Sequence, residues 1–390
     1  MNRPQEDEIF RSLGPRKLSE FNQNLEKDGK QSSVTREECI LNSIKLASGP
    51  LGIPLDQCPK SAISTSDYDY LSVEEVKGGI TNSLYKVENT KNGTAVLVRI
   101  FGPKTSYIID RERERIICTL LAKYNISKRV YAPIENGQIE EWINGFTLPQ
   151  EDMWKSIYMN GIAINMKRLH SIPLNGEIRN SLQRGDCKKS MLWPTIWNYF
   201  DLCTSQQDKV ESILGKFDFE SLKLKIKEIE KLCNDSESPV VLCHCDLLHG
   251  NILVVPDGKV RFIDFEYSCP MERAFDIANH FNEYAGFACD WSKLPSSDIE
   301  RAFAKRYLSY IPSLDRARGP NEPRDLEVSS ESVDDLVKEI QPFYLASHAY
   351  WGIWSIVRSL FSAIDFDFAS YAQRRIDMVF NSKVWNVLEL

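Results

Sequence analysis

The rhythm of apolar and polar positions changes along this chain, and the change predicts two kinds of structure. Between residues 71 and 145 the apolar runs are short and β-rich: Leu71 to Lys77, Leu84 to Val87, and Ala95 to Ile100. The last alternates with a period of two, which places Ala95, Leu97 and Arg99 on one face of a strand. A helix is expected from about Ile109 to Tyr124, with Ile116, Leu120 and Tyr124 inward. Gln138 to Gly145 closes the block as an edge strand followed by glycine.

Beyond residue 146 the spacing becomes helical. Trp154, Ile157, Tyr158, Gly161, Ile164 and Leu169 form an approximate stripe at 3.6-residue spacing, ended by His170, which reads as a dipole partner at a helix C-terminus rather than a catalyst. Further helices are predicted around Thr195 to Gln206, Phe219 to Leu232 (Leu222, Ile226 and Ile229 inward), Phe275 to Tyr284, Ala302 to Tyr310, and Val333 to Phe361. In the last of these, Ile340, Tyr344, Ser347, Trp351, Trp354 and Arg358 share a face. Residues 1 to about 35 are polar and read as a mobile arm. A helix opens at Thr35, the N-cap, with Glu38 three residues on. Residues 48–70, 171–190 and 311–331 read as loops. The expected domains are an arm and helix over 1–70, a β-rich domain over 71–145 and a mostly helical domain over 146–390.

One stretch inside the helical region breaks that pattern. Val240 to Leu242 is a short apolar strand, followed by His244-Cys245-Asp246 and, after four residues, Asn251. Ile252 to Val255 and Lys259 to Ile263 flank Pro256-Asp257-Gly258, a strong turn signal that predicts a hairpin. The second run delivers Asp264, Phe265 and Glu266. Asp-x4-Asn followed by a strand ending in Asp is what kinase-type phosphoryl transfer requires: one carboxylate orients the attacking hydroxyl, while an amide and a second carboxylate hold Mg²⁺ on the nucleotide phosphates. Magnesium keeps several waters, so one Asn and one Asp suffice. The structural alternative is a hairpin with capping Asp and Asn side chains.

Other positions gain meaning beside that hairpin. Gly78-Gly79-Ile80-Thr81-Asn82-Ser83 between two strands can lay backbone N–H groups over phosphates, although two glycines alone favour an ordinary tight hairpin. Arg99, inside an apolar strand, needs a partner. A phosphate would serve, as would a carboxylate on the following helix, with Glu114 favoured over Glu112. The remaining charges of that helix read as solvated. Trp351 and Trp354 are i, i+3 neighbours able to form part of an alkylammonium cage, though paired tryptophans are more often core.

The 390 residues suggest one large or two ordinary domains, and 42 % apolar content is enough for a packed interior. A net charge of −7 with no long basic block argues against a nucleic-acid partner. The ten cysteines include no paired C-x-x-C spacing, and Cys243 with Cys245 lacks a second pair to complete a zinc site. Unpaired thiols suggest a reducing compartment. The polar start shows no signal peptide, and no run of about 18 apolar residues forms a membrane span. A cytoplasmic globular protein is the expectation.

Together, GGITNSLYKV (78–87), VLVRIFG (96–102), HCDLLHGNIL (244–253), IDFEY (263–267), FDIANHFNE (275–283) and ASHAYWGIWSIV (346–357) resemble the choline/ethanolamine kinase family. The resemblance runs from about Gly78 to Phe380. It implies an α+β, two-lobed, protein-kinase-like fold with a small β-rich N-lobe and a larger helical C-lobe, using ATP and Mg²⁺. It further implies Asp246 as base or hydroxyl-orienting acid, and Asn251 and Asp264 as Mg²⁺ ligands. Gly79, Thr81, Asn82, Ser83, Arg99, Glu141 and Ile143 would contact the nucleotide, and Tyr267, Glu283, Trp351, Trp354 and Tyr371 would surround the amine. Leu247-Leu248, the segment Asn282 to Gly286, and Ile364 to Phe368 look more like the ethanolamine branch. A primary ammonium rewards carboxylate acceptors and a trimethylammonium rewards aromatic faces; the sequence supplies both. A homodimer would fit the family. The alternatives are the same fold acting on choline, another amino-alcohol, an aminoglycoside or a protein side chain, or a nucleotide-binding pseudokinase. The protein substrate is disfavoured because no A-P-E follows Asp264.

Overall fold

The computed structural model describes residues 49–51, 70–76, 82–102, 110–134, 136–174, 189–311, 326–361 and 366–388. The chain divides at Gly145/Phe146 into two compact units. The predicted helix after Thr35, most of the 78–83 turn, and most of the 311–331 loop lie outside the described residues.

The first unit carries a five-stranded antiparallel sheet. Its strands are β1 (Leu71–Val76), β2 (Asn82–Asn89), β3 (Thr94–Phe101), β4 (Val130–Ile134) and β5 (Gly137–Glu141), in the order β1-β2-β3-β5-β4, with helix α1 (Arg111–Lys123) between β3 and β4. Tyr85, Val87, Val96, Val98 and Ile139 form a buried cluster on one face. Arg99 pairs with Leu84 across β2 and Gln138 across β5, so Leu84, Arg99, Gln138 and Glu140 face the opposite side. The sequence reading made the last strand an edge. It is interior, because β4 pairs outside it, and Pro133, which masks β4 as a strand in the sequence, is tolerated at that edge. On α1 the buried positions are Glu114, Ile117, Cys118, Leu120 and Leu121 rather than an Ile116–Tyr124 stripe. Asp110 caps it, accepting from the Arg113 N–H.

The second unit is mostly helical. Strands β6 (Phe146–Thr147), β8 (Ile252–Val254) and β9 (Val260–Phe262) form one small sheet, and β7 (Val240–Cys243) pairs with β10 (Cys269–Glu272). The helices are α2 (Ser156–His170), α3 (Leu192–Ser205), α4 (Gln207–Leu214), α5 (Phe219–Asp235), α6 (Arg273–Asn282), α7 (Ser297–Ser309), α8 (Ser330–Phe361), α9 (Phe368–Asn381) and α10 (Val384–Leu388). The inward face of α2 is Met159, Ile162, Ala163, Met166 and Leu169, whereas Trp154 and Ile157 are exposed. Trp154 precedes the helix, so a stripe anchored on it is out of phase. Helix α8 is buried on every side from Pro342 to Arg358 rather than along a single stripe. It is therefore the central element of this unit, and its polar side chains must find internal partners. Among the described residues, no helix is long and apolar enough to cross a membrane.

Helices α8 and α9 approach closely at Gly352. A Cβ there would lie 2.7 Å from Ile376 Cδ1 and 3.3 Å from Arg375 Cβ. Gly352→Val is expected to destabilise the protein by about 1–3 kcal/mol through overpacking. A thermal melt checks this, and an unchanged midpoint would contradict it.

Candidate active site

The predicted hairpin forms. Gly258 takes φ +79° in its turn, Ile252 pairs with Phe262, and the Ile263 N–H donates to the Asn251 carbonyl at 3.0 Å. This last bond extends the ladder by one rung, so Asn251 and Asp264 sit at the same end of the hairpin. The Asn251 amide donates to the backbone oxygen of Asp246 at 2.8 Å and to its carboxylate Oδ2 at 3.0 Å. With Nδ2 committed to Asp246, Oδ1 is the remaining donor atom for a metal. Asp264 and Glu266 present carboxylate oxygens within 4.8 Å of each other. That hard-oxygen set suits Mg²⁺, with Glu266 an additional candidate ligand not assigned from sequence.

The loop before Asp246 is held from outside. Cys245 adopts φ +68°, a left-handed conformation costly for a residue with a Cβ. The Asp276 carboxylate on α6 accepts from the His244 N–H at 2.9 Å and the Cys245 N–H at 2.7 Å. Asn279, one turn later, donates to the Cys245 carbonyl at 3.0 Å. His280 Nδ1 lies 2.8 Å from the Leu247 carbonyl and so carries the donor proton. These three side chains lie at i, i+3 and i+4 on one face of α6 and are fully buried. His170 is part of the same arrangement: its Nε2 lies 2.9 Å from Asp276 Oδ2 and its Nδ1 2.8 Å from the Tyr307 hydroxyl. It anchors Asp276, a role beyond capping its own helix. Burial would raise the Asp276 pKa, but the His170 bond and the neighbouring histidine and backbone donors outweigh it and hold the carboxyl below its usual range.

His244 is kept neutral chiefly by burial. Its Nε2 lies 3.0 Å from the Ile263 carbonyl, so Nδ1 is left to accept the Asp246 N–H at 3.4 Å. One imidazole thus links the loop to the strand that delivers Asp264. Cys243 ends β7. Cys245 lies beyond β7, with Sγ 3.9 Å from Cys269 Sγ, and both are thiols.

Asp246 itself is half-buried. Burial first, then the nearby carboxylates of Glu283, Asp264 and Glu266, push its pKa well above the usual carboxylate range. Glu283 ends α6 and accepts from Arg375 Nη2 at 2.5 Å. Arg375 is fully buried and also donates to the Tyr371 hydroxyl through Nε at 2.9 Å and Nη2 at 2.6 Å. Tyr267, Trp351 and Trp354 are mutual edge-to-face neighbours, with centroids 5.2, 6.1 and 5.0 Å apart. The Trp351 indole donates to Asn279 Oδ1 at 2.7 Å, which ties this cluster to the loop clamp. Tyr371 stands apart from that trio, its ring against Phe287 and Phe366 and its hydroxyl on Arg375. Phe366 and Phe368 bridge the gap: Trp354 meets Phe368 at 5.8 Å, Phe368 meets Phe366 at 4.8 Å, and Phe366 meets Tyr371 at 5.9 Å.

In the first unit Arg99 Nη1 meets Glu114 Oε1 at 2.5 Å and Glu140 Oε1 at 3.7 Å. Arg111 also reaches Glu114, at 2.8 Å, and Lys128 pairs with Glu140. Asn82 Oδ1 accepts from Arg111 at 3.0 Å, and Ser83 pairs with Ile100. Gly79 and Thr81 lie outside the described residues. A cavity of about 380 Å³ is lined by Glu74, Glu75, Val76, Lys86 and Trp142. Cross-strand pairing puts Glu74, Lys86 and Val76 on the Arg99 face. Trp142, with Lys86 Nζ 5.3 Å from its ring centroid, is a candidate that sequence reasoning passed over for its neighbours Glu141 and Ile143. The Glu141 carboxylate accepts from the Arg129 N–H at 3.0 Å.

The choline/ethanolamine kinase family model matches residues 73–380. The chain is 34% identical over 312 residues to the "Probable ethanolamine kinase" of Arabidopsis thaliana, covering 78% of each. It is 32% identical over 311 residues to "Ethanolamine kinase 2" of Homo sapiens, covering 78% of this chain and 74% of that one. Among solved structures it is similar to the ethanolamine kinase of Plasmodium vivax, with TM-score 0.75 and 37% identity over 96% of this chain and 97% of that one. A choline kinase from Cryptosporidium parvum, 24% identical, shares the fold with TM-score 0.68 over 90% of this chain and 96% of that one.

Two outcomes follow from this geometry. Asp276→Ala removes the acceptor of two buried N–H groups and is expected to cost about 3–5 kcal/mol in urea unfolding and more than tenfold in turnover. Full turnover with an unchanged midpoint would show that the loop holds itself. Asp246 has a raised pKa in the folded state, so its ionisation erodes stability as pH rises through and above the ordinary carboxylate range. Asp246→Asn, which keeps an acceptor for Asn251, is therefore expected to melt no lower than wild type at pH 7. A clearly lower melting temperature would contradict this.

Proposed function

The chain belongs to the choline/ethanolamine kinase family, and from that premise we propose that it transfers the γ-phosphoryl group of ATP to the hydroxyl of ethanolamine, with choline a poorer acceptor. The observation that carries this reading is the hairpin that gathers Asp246, Asn251 and Asp264, with Asn251 bonded to Asp246. Asp246 orients the acceptor hydroxyl and takes its proton. In the free protein its pKa is raised by burial and by the neighbouring carboxylates. Mg²⁺, held by Asn251, Asp264 and Glu266, would neutralise charge on the β- and γ-phosphates. Arg99, held by Glu114, contacts a phosphate, and Trp142, beside Lys86 on the same sheet, meets the base. Glu283, fixed through Oε1 by Arg375, turns a carboxylate to the ammonium, and Tyr267, Trp351 and Trp354 close around the amine. Tyr371 acts from behind, through Arg375. Catalysis then rests on positioning and on electrostatics set before the reaction begins. A homodimer acting in the cytoplasm completes this reading.

Ethanolamine is preferred over choline because the amine meets the carboxylate of Glu283, which lies near the reactive aspartate. This rewards a cation with N–H donors, which trimethylammonium lacks. Coupled ADP release tests the reading. A higher kcat/KM for ethanolamine than for choline is expected, and Asp246→Ala should lose turnover by at least about a thousandfold while still binding ATP. Near-normal turnover of that variant would overturn the assignment of Asp246.

A further inference from the structure

The aromatic cluster already has a cation of its own. Arg358, in the last turn of α8, is only 4% exposed. Its guanidinium carbon lies 5.6 Å from the Trp354 ring centroid and 5.3 Å from that of Phe368. Trp354 in turn meets both Tyr267 and Trp351, at 6.1 and 5.0 Å. An aromatic face attracts a cation through its quadrupole, and a ring already holding a guanidinium offers a second cation less.

Every substrate cation meets an aromatic surface already occupied by this guanidinium, but not every one depends on that surface. A primary ammonium has three N–H donors to direct at carboxylates, and Glu283 has one: Arg375 occupies Oε1, and among the described residues Oε2 has no hydrogen bond. A trimethylammonium has no donors and depends on aromatic faces. We propose that Arg358 is a specificity-determining residue that disfavours N-methylated amino-alcohols by occupying the Trp354–Phe368 aromatic surface. This rests on the amino-alcohol kinase reading above. It also turns the tryptophan pair from a ready-made cage for choline into a surface that selects against it.

The test is a methyl series with the full chain: ethanolamine, N-methylethanolamine, N,N-dimethylethanolamine and choline, each as kcat/KM. In the wild type the value should fall with each methyl group. In Arg358→Gln the choline-to-ethanolamine ratio should rise by about tenfold or more, while Arg358→Lys, which keeps the charge, should stay near the wild-type ratio. Arg358→Met takes the place of the glutamine variant if that variant does not fold. A flat or rising series in the wild type, or a ratio that moves less than about twofold in the neutral variants, overturns the role of Arg358. Wild-type protein that phosphorylates none of the four would overturn the kinase reading itself, so the two failures are distinguishable.

Discussion

The second unit depends on a single buried carboxylate. Asp276 collects the N–H groups of His244 and Cys245 and the imidazole of His170, and so fixes the backbone just before Asp246. Without it, Cys245 would have little reason to remain at φ +68°, because a left-handed cysteine is unfavourable by itself. A buried charge needs hydrogen bonds to be tolerated, and these bonds are the ones that aim the reactive side chain. Stability and function therefore share one set of contacts. Asn279 extends the arrangement by joining the same loop to Ser347 and Trp351 on α8, so the aromatic cluster and the loop before Asp246 share a scaffold.

Charge explains the character of the site. Asp246, Asp264, Glu266 and Glu283 stand close enough to raise the first of them, an arrangement that costs stability in the free protein and suits a site made to receive cations. Arg375 offsets one of the four from behind, through Glu283. In the first unit the charges interleave: Arg99 and Arg111 meet Glu114, and Lys128 meets Glu140. The acidic set suits a metal and an amine, and the interleaved set holds Arg99 in place. Each set is organised by buried side chains whose partners are already in place, so little reorganisation is needed when charge moves.

Local signals made much of this legible in the sequence. The Pro256-Asp257-Gly258 turn between β-rich runs fixed the hairpin, and Arg99 in an apolar strand demanded the carboxylate found in Glu114. The strands β4 and β10 were hidden because each contains a proline, at Pro133 and Pro270, and because β10 finds its partner 26 or more residues away in β7. The inward faces of α1 and α2 were misphased, since tertiary packing chooses among near-equivalent stripes when both sides of a helix carry apolar residues. Asp276, Asn279 and His280 had a readable signal, three polar residues at i, i+3 and i+4 in an apolar helix, but nothing in the string said what they would hold. Arg358 was legible on the Trp351–Trp354 face of its helix, but not its second aromatic neighbour, Phe368 on α9; Arg375 gave no such signal, because its carboxylate partner, Glu283, is distant in sequence.

The central claim is that the hairpin, its acidic surroundings and the aromatic cluster together phosphorylate an amino-alcohol on oxygen. Phosphorus NMR of the purified chain incubated with ATP, Mg²⁺ and ethanolamine tests it most directly, because it identifies the product rather than counting ADP. The account predicts a phosphomonoester resonance that grows as the γ-phosphate signal of ATP falls and splits through coupling to the adjacent methylene protons. Release of inorganic phosphate alone, or a phosphoramidate in place of the ester, would contradict it.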